Sequence, residues 1–299
     1  MKGKAWVART AAIVVAGMIM LGLQPSPLYP SKEVVAAPSS GARGYVFGIF
    51  PYLPPLTLDR VFAPIIASLE TGLAKPVHLR STTSFTGFVE ELGSGNYDLI
   101  FAHPFFYILA ADHYGYVPLV RLVTPLSAVF LARHDDAADS MTALKGRVLA
   151  LPPELSAVSE VAQRELAAAG LTPGVEIQLR HHQSKSSCLH ALAVGVADAC
   201  ALPSFVLKQL PPDQMAALKV IHETKPIPNV VIAAHPRLSE AERAQLTRTI
   251  LAWPETAEGR QILADAGWEG FVAADDRDYD ELRQWGPAPV MNRRQSAVE

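Results

Sequence analysis

From Tyr45 onward the chain alternates short apolar runs of strand length with longer runs of helical periodicity, which restricts it to an α/β architecture. Residues 45–50, 77–81, 97–102 and 117–123 are predicted strands. Between the first two, residues 58–71 place Val61, Phe62, Ile65, Ile66 and Leu69 on one helical face. Thr82, Thr83 and Ser84 can cap a second helix running to Leu92, and Pro104 opens a third that ends near Tyr114. Further strands are predicted at 128–132, 147–150, 175–180, 198–202, 218–223 and 230–234, with helices at 156–169, 186–194 and 204–210. Two consecutive helices, 239–253 and 256–266, follow, and a last one starts from Asp278.

This order predicts two lobes, the second inserted into the first. Residues 44–124 and 229–290 form lobe 1, and residues 125–228 form lobe 2. The chain then crosses between lobes near 123–125 and again near 227–231, which permits hinged closure on a ligand in the crevice.

Residues 1–37 read as a signal peptide: Lys2, Lys4 and Arg9 precede the apolar run 11–23, and Val34, Val35, Ala36 and Ala37 offer a cleavage site. The apolar core is shorter than the roughly 20 residues of a bilayer crossing, so an N-terminal anchor is the alternative. The expected location is extracytoplasmic, the periplasm if the resemblance given below holds, with the membrane reached only through this leader or through a partner. About 260 residues then remain, enough for a substantial core. A net charge of -3 excludes the basic field of a nucleic-acid binder.

Helix starts offer unpaired backbone N–H groups and a field that favours anions. Four are predicted at strand ends, near Thr83–Ser84, His103, Ser156–Ser159 and Ser184–Ser187, most of them carrying hydroxyls. Their convergence on one cleft would make a site for a small anion. Tyr52 and His103 are the aromatic candidates, following the first and third strands. The predicted ligand set is Tyr52, Thr83, Ser84, His103, Ser156, Ser159, Ser186 and Ser187. Cys188 and Cys200 are expected as a disulfide or as two buried thiols, since their spacing with His181 and His182 matches no closed zinc site. No cofactor and no resident metal are expected. Nor is an enzyme, since the nucleophile elbow, the zinc-protease helix and the phosphate loop are all missing. Asp98 and Asp198 each follow a helix stop and precede a strand, a structural turn role.

Several local patterns resemble one group over nearly the whole of the chain beyond the leader. They are Tyr45-Val-Phe-Gly-Ile49, Gly95-Asn-Tyr-Asp-Leu-Ile100, Ala191-Leu-Ala-Val-Gly195, Val196-Ala-Asp-Ala199, Gly267-Trp-Glu-Gly-Phe-Val-Ala-Ala-Asp275 and Asp278-Tyr-Asp280. The chain resembles the periplasmic substrate-binding proteins of phosphate, phosphite and phosphonate ABC transporters. The resemblance implies a two-lobe, type II periplasmic binding protein fold that closes on an oxyanion and delivers it to an ABC permease. Related members serve as ligand-sensing partners of membrane histidine kinases, some of them for arsenite, and Cys188 keeps such a thiophilic ligand as the alternative.

The pocket departs from the family pattern. Ala102-His103 stands where phosphonate binders carry an aromatic hydroxyl, and Ser156 and Ser159 remain of the Ser/Thr-rich anion loop. Ser187-Cys188 stands where an acidic or His-containing segment recognises an amino group, which implies a ligand other than an aminoalkylphosphonate.

Overall fold

The computed structural model describes residues 44–285; the leader and residues 286–290 of the expected lobe 1 lie outside them. The chain first forms β1 (Tyr45–Ile49), α1 (Pro55–Leu73), β2 (Val77–Ser81), α2 (Phe85–Gly93), β3 (Leu99–Ala102), α3 (Pro104–Tyr114) and β4 (Val117–Leu122). β1 lies between β2 and β3 and parallel to both. Parallel strands are covered on both faces, which the fully apolar, fully buried β3 reflects. α1 packs Leu58, Phe62, Ile65 and Leu69 inward at helical spacing. It starts three residues earlier than periodicity predicts, because Pro55 fits a first turn whose N–H groups have no intrahelical acceptor.

The chain then builds a second sheet from β5 (Ala128–Arg133), β6 (Val148–Leu151), β7 (Gln178–His181), β8 (Ala199–Pro203) and β9 (Leu218–Glu223), in the order β7-β6-β8-β5-β9. Its helices are α4 (Ala157–Ala168), α5 (Lys185–Ala193) and the short α6 (Pro212–Ala216). Side chains alternate across this sheet. Phe130, Leu149, Leu151, Ala199 and Ala201 pack with Ala162 and Leu166 of α4. Val129, Leu131, Ala150, Cys200 and Leu202 pack with Cys188, Ala191 and Leu192 of α5.

The last stretch returns to the first sheet with β10 (Val231–Ala234), α7 (Glu240–Leu251), α8 (Ala257–Ala266), β11 (Phe271–Ala273) and α9 (Asp280–Gln284). That sheet is ordered β11-β4-β10-β3-β1-β2, with β10 antiparallel to both β3 and β4. The two chain crossings are tied together. Leu126 and Ile227 exchange main-chain hydrogen bonds of 2.9 and 2.8 Å, and the Asn229 side-chain amide donates to the Thr124 carbonyl at 3.0 Å.

A local device recurs in both sheets. Asp98 accepts from the Val46 N–H and Asp198 from the Val148 N–H, each at 2.8 Å. Each aspartate also donates its own N–H back to that residue's carbonyl, so the carboxylates fix the neighbouring strand where it enters the sheet. β7 begins later than predicted because Thr172 to Ile177 fold into a turn, with Gly174 at φ 79°.

Candidate functional site

β1, β2 and β3 are parallel, so the segments after them leave from one edge of the first sheet. The Phe50 ring gathers these segments: its centroid is 5.0 Å from that of Tyr52, 5.8 Å from Phe85 and 5.5 Å from His103. The sheet thus brings Tyr52, the α2 start and His103 around one ring. Tyr52 is half-buried, and burial raises its phenol pKa, leaving a neutral hydroxyl. Ser84 caps α2 by accepting from the Gly87 N–H at 3.0 Å, and Thr83 beside it is exposed. The first amides of α2 have no intrahelical acceptor.

β6, β7 and β8 likewise run parallel, so their C-terminal ends form an edge of the second sheet. The Pro152 carbonyl after β6 accepts from the Ser159 hydroxyl at 3.0 Å and from His181 Nδ1 at 2.9 Å. Ser156 caps α4 through the Ser159 N–H at 3.2 Å. Ser159 is fully buried with its hydroxyl committed to Pro152, so it serves the loop's shape. Ser187 is bound in a reciprocal cap with Ser184, while Ser186 is exposed. Among the described residues no hydrogen bond joins Ser186 or Ser187 to the Ser156–Ser159 group or to lobe 1.

The two edges meet at His103. Its Nε2 lies 3.0 Å from the Leu155 carbonyl, which can only accept, so Nε2 carries the proton. Nδ1 accepts from the Phe106 N–H at 3.4 Å. Aromatic rings surround the imidazole, and burial pushes its pKa down to about 3, against a smaller opposing effect of the Leu155 bond. His103 is therefore a neutral clasp between lobes, with both ring nitrogens engaged. Ala157, Val158 and Val161 of α4 extend the apolar contact into the same cluster as Phe105 and Leu282.

A second clasp lies beside it. Arg164 of α4 donates to the Trp285 carbonyl at 2.7 Å and stands 5.3 Å over the Trp285 ring. It also pairs with Glu160 at 2.7 Å; burial raises the Glu160 carboxyl pKa, and Arg164 opposes that rise.

Sequence reasoning missed the Leu155 carbonyl and the Arg164–Trp285 pair. It also passed over Lys185, whose ammonium lies 4.7 Å from the centroid of the Phe205 ring. The available signal for Lys185 was a cation placed in a helix's first turn, against the helix field. Cys188 on α5 and Cys200 on β8 are two free, fully buried thiols, and burial raises the Cys200 thiol pKa. Among the described residues no group of three or more His, Cys, Asp or Glu side chains is placed to hold a metal.

Residues 47–279 match the family described as "ABC transporter, phosphonate, periplasmic substrate-binding protein". The fold is similar to a binding protein component of an ABC phosphonate transporter from Pseudomonas aeruginosa, with a TM-score of 0.71 and 18% identity over 81% of this chain and 85% of that one. It is similar also to PhnD1 from Prochlorococcus marinus in complex with methylphosphonate, at TM-score 0.71 and 18% identity over 81% and 96% of the two chains. A Xanthomonas citri protein bound to ATP gives a TM-score of 0.71 and 17% identity over 85% and 99%. At such identities the likeness is one of fold. No curated protein matches the chain by sequence.

Proposed function

This chain belongs to the family of periplasmic substrate-binding proteins of phosphonate ABC transporters, and we propose that it captures a small oxyanion, phosphate, phosphite or a phosphonate, between its lobes for an ABC permease. Family members hold a solute for transport and are not enzymes, and their work is extracytoplasmic. Among the described residues no helix is long and apolar enough to cross a membrane. The charged and apolar segment at residues 1–37 supports export through a cleaved leader.

The observation that carries the ligand reading is the His103–Leu155 contact, which sets the α2 and α3 starts of lobe 1 against the α4 start of lobe 2. Backbone amides at such starts suit an oxyanion. Tyr52 and Thr83 would add hydroxyls from lobe 1 and Ser186 from lobe 2, while Ser84, Ser156 and Ser187 act as caps that hold the amides in place. Ser159 and His103 shape the loop and the closed seam. A thiophilic ligand such as arsenite is disfavoured, because Cys188 and Cys200 are wholly buried in the lobe 2 core. A sensory role with a histidine kinase would use the same cleft.

Binding to the folded state raises the melting temperature. A thermal-shift panel of phosphate, phosphite, methylphosphonate, sulfate and arsenite is expected to show stabilisation by one or more of the phosphorus oxyanions and none by arsenite. Stabilisation by arsenite alone would overturn the reading, as would no response to any phosphorus oxyanion.

A further inference from the structure

Lys185 occupies the first turn of α5, where the helix field disfavours a cation. The side chain is half-buried, and burial pushes the ammonium pKa down. Among the described residues it forms no ion pair. By contrast Arg121, Arg147 and Arg164 each face a carboxylate, at 3.0, 2.6 and 2.7 Å. The Phe205 ring, 4.7 Å away, offsets part of this cost through its π face and forms a wall beside the ammonium. Nearby in the same loop, His182 has a buried Nε2 with no hydrogen-bond partner among the described residues.

These groups share a location. Lys185 and His182 follow β7, and Phe205 follows β8. Both strands run parallel to β6, whose following loop reaches lobe 1 at Leu155. A partly desolvated cation stacked on a half-buried ring and an unsatisfied imidazole nitrogen therefore lie along the edge that meets the other lobe. An acidic group brought there would receive a charge-assisted hydrogen bond from Lys185 and complement the field of α5. An ammonium brought there would meet a like charge in a site of reduced polarity.

We propose that Lys185 is the specificity-determining residue of the cleft, pairing with a carboxylate on the ligand's substituent, so that the site selects carboxylate-bearing phosphonates over aminoalkylphosphonates. This rests on the oxyanion-capture reading above. Selectivity arises from both directions, attraction of one substituent and repulsion of the other.

Calorimetric titration of the purified protein with methylphosphonate, phosphonoacetate and 2-aminoethylphosphonate tests it. The wild type is expected to bind phosphonoacetate at least about tenfold more tightly than 2-aminoethylphosphonate. Lys185→Gln should bring the two affinities close together while methylphosphonate binding changes little. Lys185→Glu, which suits a helix first turn, should reverse the preference. Circular dichroism is used to check that both variants fold. Methylphosphonate binding with the phosphonoacetate to 2-aminoethylphosphonate ratio unchanged in both variants overturns this inference alone. Failure of the wild type to bind any of the three while it binds phosphate or phosphite also overturns this inference alone, and failure to bind any of the five overturns it together with the oxyanion reading.

Discussion

His103 shows how one residue can hold two lobes together and make that hold depend on pH. The unfolded chain takes up a proton at this imidazole near pH 6.5, whereas the buried ring does so only near 3. Stability contributed by the neutral ring is therefore fully present above about pH 6.5 and is lost as pH falls toward 3. The slope approaches about 1.4 kcal/mol per pH unit within that window. His103→Gln retains a donor for the Leu155 carbonyl and does not titrate. Denaturation from pH 7 to 4 should show the wild type losing stability more steeply than this variant. Parallel curves would contradict the role given to His103.

At the scale of elements, the two parallel-strand units share one construction: a capped helix, a glycine stop, an aspartate and a buried strand. Asp98 and Asp198 act alike, with Asp98 further held by Arg237. Asp98→Ala leaves a strand amide without its acceptor and Arg237 without its carboxylate, though still bound to the Gly95 and Tyr97 carbonyls, and should cost about 1–3 kcal/mol. Asp198→Ala, which frees only an amide, should cost less. Urea unfolding checks both, and equal or negligible losses would contradict this assignment. The structural role of these aspartates was legible because each stands between a helix-stopping glycine and an apolar run. By contrast β11 and α6 escaped notice, since three and five residues are too few to display a period. The helix starts at the seam were legible to a similar depth. Helix starts announce themselves through Ser and Pro, whereas Leu155 contributes a carbonyl, a group that every residue has. The Arg164–Trp285 contact spans 121 positions, and no local pattern encodes it.

For the whole molecule, the contacts across the seam are expected to set how readily the lobes close. They comprise the His103–Leu155 bond, the Ala157, Val158 and Val161 packing, and the Arg164–Trp285 stack. A ligand's apparent affinity falls with the fraction of protein in the binding-competent state. Trp285→Ala removes a cation–π contact of about 1 kcal/mol and should weaken oxyanion binding roughly fivefold. It should also raise the radius of gyration measured by small-angle scattering without ligand. An unchanged radius and affinity would show that the C-terminal clasp does not control closure.

An oxyanion held at the seam between the two strand-end edges is what the whole proposed function depends on. A crystal structure of the protein grown with methylphosphonate tests it most directly. The expected density is a tetrahedral anion between the lobes, within hydrogen-bond distance of backbone amides at the starts of α2 and α4. A saturating ligand bound elsewhere on the protein, with that seam unoccupied, would contradict it.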